Sequence, residues 1–310
     1  MAQLSTVVKS AAIALLASAC ATMFAGHEAE IQHRTIKTSH GPLTLAVKEE
    51  GQGRPILLIH GLATSGYTWR KIAPGLAKNH RVIALDLRGF GASDKPIDDH
   101  YTIVDQAQAV QAFIEQEDLR DLTVIGHSYG GGVTLALALK LGQDRPSRLK
   151  NMVLIDSVAY RQPLPIYFRL MKMPMLAELS MTVVPPEVQA AQAMRIAYFD
   201  NSKISARAIL EYASPLYSPA GKHALVQTVE HIIPDDIDDV AQRYKTLKIP
   251  TQIIWCDEDK VVPLVLGERL NADIPTARLR IIHDCGHLPH EEKPEETLEA
   301  IEEFLAKNGG

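Results

Sequence analysis

The amino-acid sequence predicts an α/β fold, with a mostly parallel sheet covered by helices on both faces and a helical insertion before the last strands. Three observations carry that prediction. From residue 31 onward, short β-rich runs alternate with helical stretches, the pattern of parallel strands joined by crossover helices. A strand-like run, "LTVIG" (122–126), leads through a Gly-rich turn straight into a helical stretch. The rhythm then stops between Val158 and Asp239 and resumes afterwards.

Taken in order, "IQHRTIKT" (31–38) and "LTLAVKE" (43–49) are joined across "SHGP" and read as a hairpin. "RPILLIH" (54–60) is short and apolar, as a strand buried on both faces is. A helix is expected over Tyr67–Asn79, interrupted near Pro74, then a strand in "RVIALDL" (81–87) and a helix over Tyr101–Glu117. After "LTVIG" come a helix over Tyr129–Leu141 and a strand in "KNMVLID" (150–156). The interval 158–239 contains no clear buried strand and holds Met171, Met173, Met175, Met181 and Met194. It reads as a helical cap over the C-terminal edge of the sheet, where open α/β sheets bind ligands. Flexible Met side chains suit an adaptable apolar pocket and suit ordinary helix packing equally well. "TQIIW" (251–255), a helix near Pro263–Asn271, "RLRII" (278–282) and a helix from about Glu295 complete the core. The expected domains are 1–26, an export segment; 27–157 and 240–310, the two parts of the core; and 158–239, the cap.

Composition narrows the function classes. With 310 residues, 46% hydrophobic and 22% charged, the chain has ample material for a core. The net charge of -5 and the lack of any Lys/Arg run exclude a nucleic-acid partner. The acidic stretch "EEKPEETLEAIEEF" (291–304) reads as a solvated helix face. Residues 1–26 carry one Lys, the apolar run Ala11–Ala19 and small residues, which suits a secretory signal better than a membrane span. "LLASAC" (15–20) resembles a bacterial lipoprotein cleavage box, with Ala17 where Leu is usual. The expectation is a protein exported to the bacterial periplasm or lipid-anchored through Cys20, with membrane attachment through this segment alone; the alternative is a cytoplasmic protein with an uncleaved N-terminal helix. The other cysteines, Cys256 and Cys285, are left as a pair or as two buried thiols.

The turn Gly126-His127-Ser128-Tyr129-Gly130 fits the G-x-S-x-G nucleophile elbow, flanked as it must be by a strand and a helix. Such an elbow holds its serine in a sparsely populated backbone region at a cost of about 1–3 kcal/mol. Side chains two residues before and after would collide as the chain reverses, so both positions favour Gly. Gly131 and Gly132 continue into the helix, where each costs roughly 0.8–1 kcal/mol relative to Ala. Close approach of helix to sheet would account for them.

With "HGLATSGYTW" (60–69), "DLRGFGASDKP" (86–96), "GHSYGG" (126–131), and the pair "WCDEDKVVP" (255–263) and "DCGHLPHEEKP" (284–294), residues 31 to 307 resemble the α/β-hydrolase superfamily. The resemblance implies a Ser128 nucleophile, His287 as its base, and an acid after the penultimate strand. Alignment on Pro263 selects Asp259 as the acid, although Cys256 stands where the family usually has Gly. A rarer arrangement would use Asp156, and His290 is a second candidate base. The resemblance places the oxyanion donors at the backbone N–H groups of Leu62 and Tyr129, whose side chains would then shape the pocket. His60 would brace a loop, Asp86, Arg88 and Gly89 would form a structural loop, and His283 would pack at a strand end.

No cofactor or metal is expected. "GFGAS" (89–93) lacks the dinucleotide fingerprint, and His-x-x-His-Glu at 287–291 is not a zincin spacing. A disulfide between Cys256 and Cys285 would clamp the acid loop to the base loop. A Ser nucleophile sets aside the Asp-dependent relatives and leaves ester, lactone, thioester, amide or C–C cleavage through a Ser128 intermediate. The resemblance implies, as the first reading, hydrolysis of a carboxylic ester with a small to medium apolar acyl group. C–C hydrolases of the meta-cleavage type share the cap and a Trp matched by Trp69, but carry Gly-Pro-Gly where this chain has "LATSG" (62–66). Cofactor-free haloperoxidases and perhydrolases share the triad. A non-catalytic binding protein on the same scaffold is the reading from a different class.

Overall fold

The computed structural model describes residues 29–144, 148–163, 169, 172–173 and 182–309, so the expected export segment with Cys20 lies outside the described residues. The sheet has eight strands: β1 (Ile31–Thr38), β2 (Gly41–Glu50), β3 (Arg54–Ile59), β4 (His80–Leu85), β5 (Leu122–His127), β6 (Leu149–Ile155), β7 (Thr251–Cys256) and β8 (Ala277–Ile282). Their order is β1-β2-β4-β3-β5-β6-β7-β8. The β1–β2 hairpin and the β2–β4 pair are antiparallel, and every other pair is parallel.

Side-chain alternation splits the strands between two apolar layers. Leu57 and Ile59 of β3, Val124 of β5 and Leu154 of β6 face one layer, with Val110 and Phe113 of α1 (Ile103–Gln116) and Val133 and Leu137 of α2 (Tyr129–Asp144). Ile56, Leu58, Ile125 and Ile155 face the other, with Trp69, Ile72, Ile301 and Phe304. Burial on both faces is why β5 and β7 have no exposed position, whereas the edge strand β8 alternates.

Helix α1 begins two residues later than expected, because Thr102 and Asp105 form a reciprocal capping box that fixes its start. The helix expected over 67–79 is a 3₁₀ turn, Gly66–Lys71, followed by the short helix Ala73–Leu76 with Pro74 in its first turn. Between β6 and β7 the described residues hold α3 (Pro186–Ala197), α4 (Ala206–Ala213), α5 (Pro219–Glu230) and α6 (Ile237–Gln242), and no strand. Ser205 and Ser218 cap α4 and α5 by accepting from Ala208 N–H and Gly221 N–H. Of the five methionines singled out there, Met171, Met175 and Met181 lie outside the described residues, Met173 is exposed and Met194 is buried. Helices α7 (Leu264–Asp273) and α8 (Pro294–Lys307) complete the fold.

The acidic stretch divides. Glu295, Glu296, Glu299, Glu302 and Glu303 line the solvated face of α8, but Glu291 and Glu292 precede that helix and are buried. The expectation of a solvated run therefore fails at its first two residues. Pro289–Glu292 forms its own helical turn, folded inward.

Candidate active site

Strand β5 delivers Ser128 at its C-terminal end, with φ +52°, in the left-handed region that a side chain rarely adopts. Its neighbours explain the glycines. A Cβ at Gly126 would overlap the carbonyl oxygen of Gly130, and one at Gly130 would overlap the carbonyls of Ile59 and His60. A Cβ at Gly131 would strike the Ser157 side chain just past β6, so α2 enters flush against the sheet. The strain is held by Ser128 N–H donating to Ile155 O and by Val158 N–H donating to Ser128 O.

The structure brings Ser128, His287 and Asp259 together. His287 Nε2 lies 2.8 Å from Ser128 Oγ, and His287 Nδ1 lies 2.8 Å from Asp259 Oδ2. An ionised carboxylate only accepts, so Nδ1 carries the imidazole proton and Nε2 presents its lone pair to the hydroxyl. Asp259 Oδ1 is fixed separately by the N–H groups of Val261 (2.7 Å) and Val262 (2.9 Å). Neither acid oxygen is therefore free to turn away. His290, the other candidate base, points elsewhere: its Nε2 is 2.7 Å from Thr68 Oγ1. Asp156, the other candidate acid, accepts from Cys256 N–H at 3.0 Å and shares no hydrogen bond with His287.

The base loop has three anchors. His287 N–H donates to Ala197 O at the end of α3 (2.6 Å). His287 O lies 2.8 Å from His127 Nε2, which must donate to it. Cys256 and Cys285 are joined in a disulfide, with Cα atoms 5.2 Å apart across a separation of 29 residues. It links the end of β7 to the loop after β8, the first of the two alternatives that the sequence left open. His127 was not among the residues anticipated, although it sits inside the elbow motif. Burial pushes its pKa well below the usual imidazole value, so it stays neutral, and its Nδ1 has no partner among the described residues.

His60 braces the neighbouring loop: Nδ1 donates to Gly61 O at 2.7 Å, while Nε2 accepts from Leu87 N–H at 2.9 Å. A Cβ at Gly61 would lie 3.3 Å from Ser128 Cβ, so the chain entering Leu62 runs beside the nucleophile. Leu62 lines the cavity. The Tyr129 side chain does not, against expectation. It is fully buried in the core and its hydroxyl donates to Tyr101 O at 3.3 Å, because the elbow turns residue 129 away from the sheet edge. Asp86 ties its loop together through Gly66 N–H (2.7 Å) and Ala92 N–H (2.8 Å), and Arg88 pairs with Asp98. Trp69 is buried against His290, with ring centroids 4.7 Å apart, and lies outside the cavity. His283 does not pack; it is exposed and meets Asp257 at 2.8 Å.

Ser128, His287 and His127 open onto a cavity of about 120 Å³. Its walls are Leu62, Ala63 and Val261 from the core, and Ala190, Met194, Leu216, Leu225 and Ile232 from the insertion. Gln162, Gln189, Thr64 and Tyr212 are the uncharged polar residues among them, and the described lining contains no Arg, Lys, Asp or Glu. His40, His100 and Asp105 are a group of described residues whose ligand atoms lie within 4.8 Å of one another, and none of them borders this cavity.

A nucleophilic hydroxyl, an imidazole base and a fixed carboxylate beside an apolar cavity can perform acyl transfer. Known hydrolases are among the proteins to which the chain is similar. Residues 54–294 match the family described as alpha/beta hydrolase fold. The chain is 29% identical to an uncharacterised protein of Mycobacterium tuberculosis, covering 89% of this chain and 81% of that one. It is 28% identical to a 2-hydroxymuconate semialdehyde hydrolase of Pseudomonas sp., covering 84% and 89% of the two chains. A thermophilic esterase from Thermogutta terrifontis superposes with a TM-score of 0.73 at 26% identity, covering 89% of this chain and 99% of that one. The chain is a hydrolase and belongs to the alpha/beta hydrolase family.

Proposed function

We propose that the protein hydrolyses neutral carboxylic esters with a small to medium apolar acyl group, through a covalent acyl intermediate on Ser128. The observation that carries this reading is the unbroken line Asp259–His287–Ser128 ending at a cavity walled by uncharged side chains. Ser128 Oγ attacks the ester carbonyl carbon while its proton passes to His287 Nε2. Asp259 holds Nδ1–H and stabilises the imidazolium. The developing oxyanion is met by the N–H groups of Leu62 and Tyr129, each worth roughly 2.7–4 kcal/mol in such a site. His287 then protonates the departing alkoxide, and water cleaves the acyl-Ser128 bond by the same route.

The similarity to a 2-hydroxymuconate semialdehyde hydrolase raises C–C cleavage as the second reading. A muconate-derived substrate carries a carboxylate, and in this cavity it would meet no cationic side chain among the described residues. Desolvating an unpaired carboxylate costs several kcal/mol. That cost favours the neutral ester. The Cys256–Cys285 disulfide supports the exported location that the N-terminal segment implies, since such bonds persist in oxidising compartments.

The test is hydrolysis of p-nitrophenyl esters from acetate to dodecanoate by the protein and by Ser128→Ala. Loss of the nucleophile should lower kcat by up to about 10⁶-fold. Equal rates in the two proteins would reject the Ser128 mechanism, and turnover of a dienoate C–C substrate alone would favour the second reading.

A further inference from the structure

Four residues past His287 stands a carboxylate that the acyl-transfer chemistry does not use. The Glu291 side chain is fully buried, yet it is surrounded by donors from two separate parts of the chain. From the core segment after His60, Thr68 Oγ1 donates to Oε1 at 2.9 Å and Arg70 Nη2 donates to Oε2 at 2.6 Å. From the insertion, Tyr212 Oη donates to Oε1 at 2.6 Å and Tyr198 Oη donates to Oε2 at 2.7 Å. Each oxygen thus takes one donor from the core and one from the insertion. His290 closes the cluster by donating Nε2–H to Thr68 Oγ1, whose own proton is given to Glu291.

The next residue repeats the pattern. Glu292 Oε2 accepts from Phe199 N–H (2.9 Å) and Asp200 N–H (3.0 Å) of the insertion, while Oε1 accepts from Gly286 N–H (2.8 Å) of the base loop. Lys71 Nζ and Lys203 Nζ bind the carbonyls of Glu291 and Glu292 at 2.5 and 2.7 Å. Burial works to raise the Glu291 pKa, but the Arg70 guanidinium outweighs it and holds the group down to about 2. The ionised form is the one that can accept four bonds at once.

The two tyrosines differ in where their rings lie. Tyr212 lines the cavity beside Ser128, whereas Tyr198 is buried outside it. The only polar atom of the Tyr212 side chain is thereby tied to a fixed anion, with Thr68 Oγ1 also 3.0 Å away, while Tyr212 forms part of the cavity wall. We propose that Glu291 is a positioning residue that sets acyl-chain specificity, its carboxylate fixing the Tyr212 hydroxyl and with it that wall of the cavity. The inference rests on reading this cavity as the acyl site. It gives the buried anion a role in recognition beyond joining the insertion to the core.

Tyr212→Phe keeps the ring and removes the tether. Tyr198→Phe removes an equivalent hydrogen bond to the same carboxylate without touching the cavity. KM and kcat are measured over the p-nitrophenyl ester series for the protein, both variants and Glu291→Gln. Dissociation constants for 1-alkanols, butanol to decanol, are measured by calorimetry, because they report the cavity without acyl chemistry. Tyr212→Phe should raise KM and the alkanol dissociation constant for longer chains by about tenfold, the scale of one hydrogen bond to a charged group. The change should fall on KM more than on kcat and should grow with chain length, as expected where uniform binding is lost. Tyr198→Phe should leave the chain-length profile unchanged, and Glu291→Gln, if it folds, should follow Tyr212→Phe. An unchanged profile in Tyr212→Phe, or the same change in Tyr198→Phe, overturns the proposal. If Ser128→Ala hydrolyses esters as fast as the parent, the acyl-enzyme reading fails instead, and the alkanol series still decides the role of Glu291.

Discussion

Two carboxyl groups follow adjacent strands, and their surroundings differ. Asp259 accepts from two backbone N–H groups and from His287 Nδ1–H. Asp156 follows β6 at φ +42°, accepts one N–H from Cys256, and leaves Oδ2 buried with no partner among the described residues. Burial, and then the nearby Asp259 charge, push its pKa well above the ordinary 3.8. Asp156 is therefore the neutral member of the pair. Asp259→Asn should lower kcat by about 10⁴-fold, as loss of a triad acid does, whereas Asp156→Asn should retain most activity. The sign of the stability effect follows from proton binding. Above pH 3.8 the unfolded Asp156 ionises while the folded one holds its proton, so the parent loses stability as pH rises toward the folded pKa. Asn has no such loss. The urea midpoint of Asp156→Asn, relative to the parent, should rise as the pH is raised above 3.8, and a difference that stays constant would mean that Asp156 is ionised in the native state as in the unfolded one.

At the scale of elements, the ends of β7 and β8 carry the acid and the base, and the disulfide joins them where backbone pairing stops. Strand pairing ends at Cys256–Ile282, and beyond it Asp257 N–H and Glu258 N–H still donate to Ile282 O and Cys285 O. The covalent link closes a loop of 29 residues' separation. In the chain-entropy account such a loop contributes roughly 3–4 kcal/mol. The Cys256→Ala, Cys285→Ala double variant should therefore unfold at lower urea with that loss. Its His287 should still sit against Asp259, because His127 and Ala197 hold the base loop independently. Activity within about tenfold of the parent at low urea is the expected result. A far larger loss of kcat in the folded variant would show that the disulfide, and not these two hydrogen bonds, sets the base geometry. The elbow needs no such reinforcement, since the glycines at 126, 130 and 131 pack directly against neighbouring backbone and Ser157.

For the whole molecule, what was legible in the sequence follows the range of the interactions. The sheet was legible because its strands are buried on both faces and announce it by composition. Ser128 was legible because the elbow compresses its requirements into five consecutive residues. The cluster around Glu291 was not, because Thr68, Tyr198 and Tyr212 lie 79 to 223 residues away in sequence and nothing local marks their meeting. A glutamate beginning an acidic run looks solvated until a fold supplies Arg70. The same long-range packing gives the protein a pH response. His290 is fully buried, and burial holds its pKa down to about 3, so it stays neutral while an unfolded His gains a proton near 6.5. Below that value the unfolded state binds one more proton than the native state, and stability falls as pH falls. The slope is on the order of 1 kcal/mol per pH unit from this residue. His127, also lowered by burial, adds a similar slope; Asp156 opposes both. Because these sum in the parent, the informative quantity is a difference. His290→Gln keeps an N–H for Thr68 and removes the titration, at some fixed packing cost. The stability of His290→Gln relative to the parent should improve steadily from pH 7 to pH 5 in urea titrations. A gap that stays constant would mean that His290 takes up its proton in the folded state as readily as in the unfolded one, and a gap that widens as pH falls would mean that it is protonated inside the folded cluster, with Glu291 paired with two cations and not one.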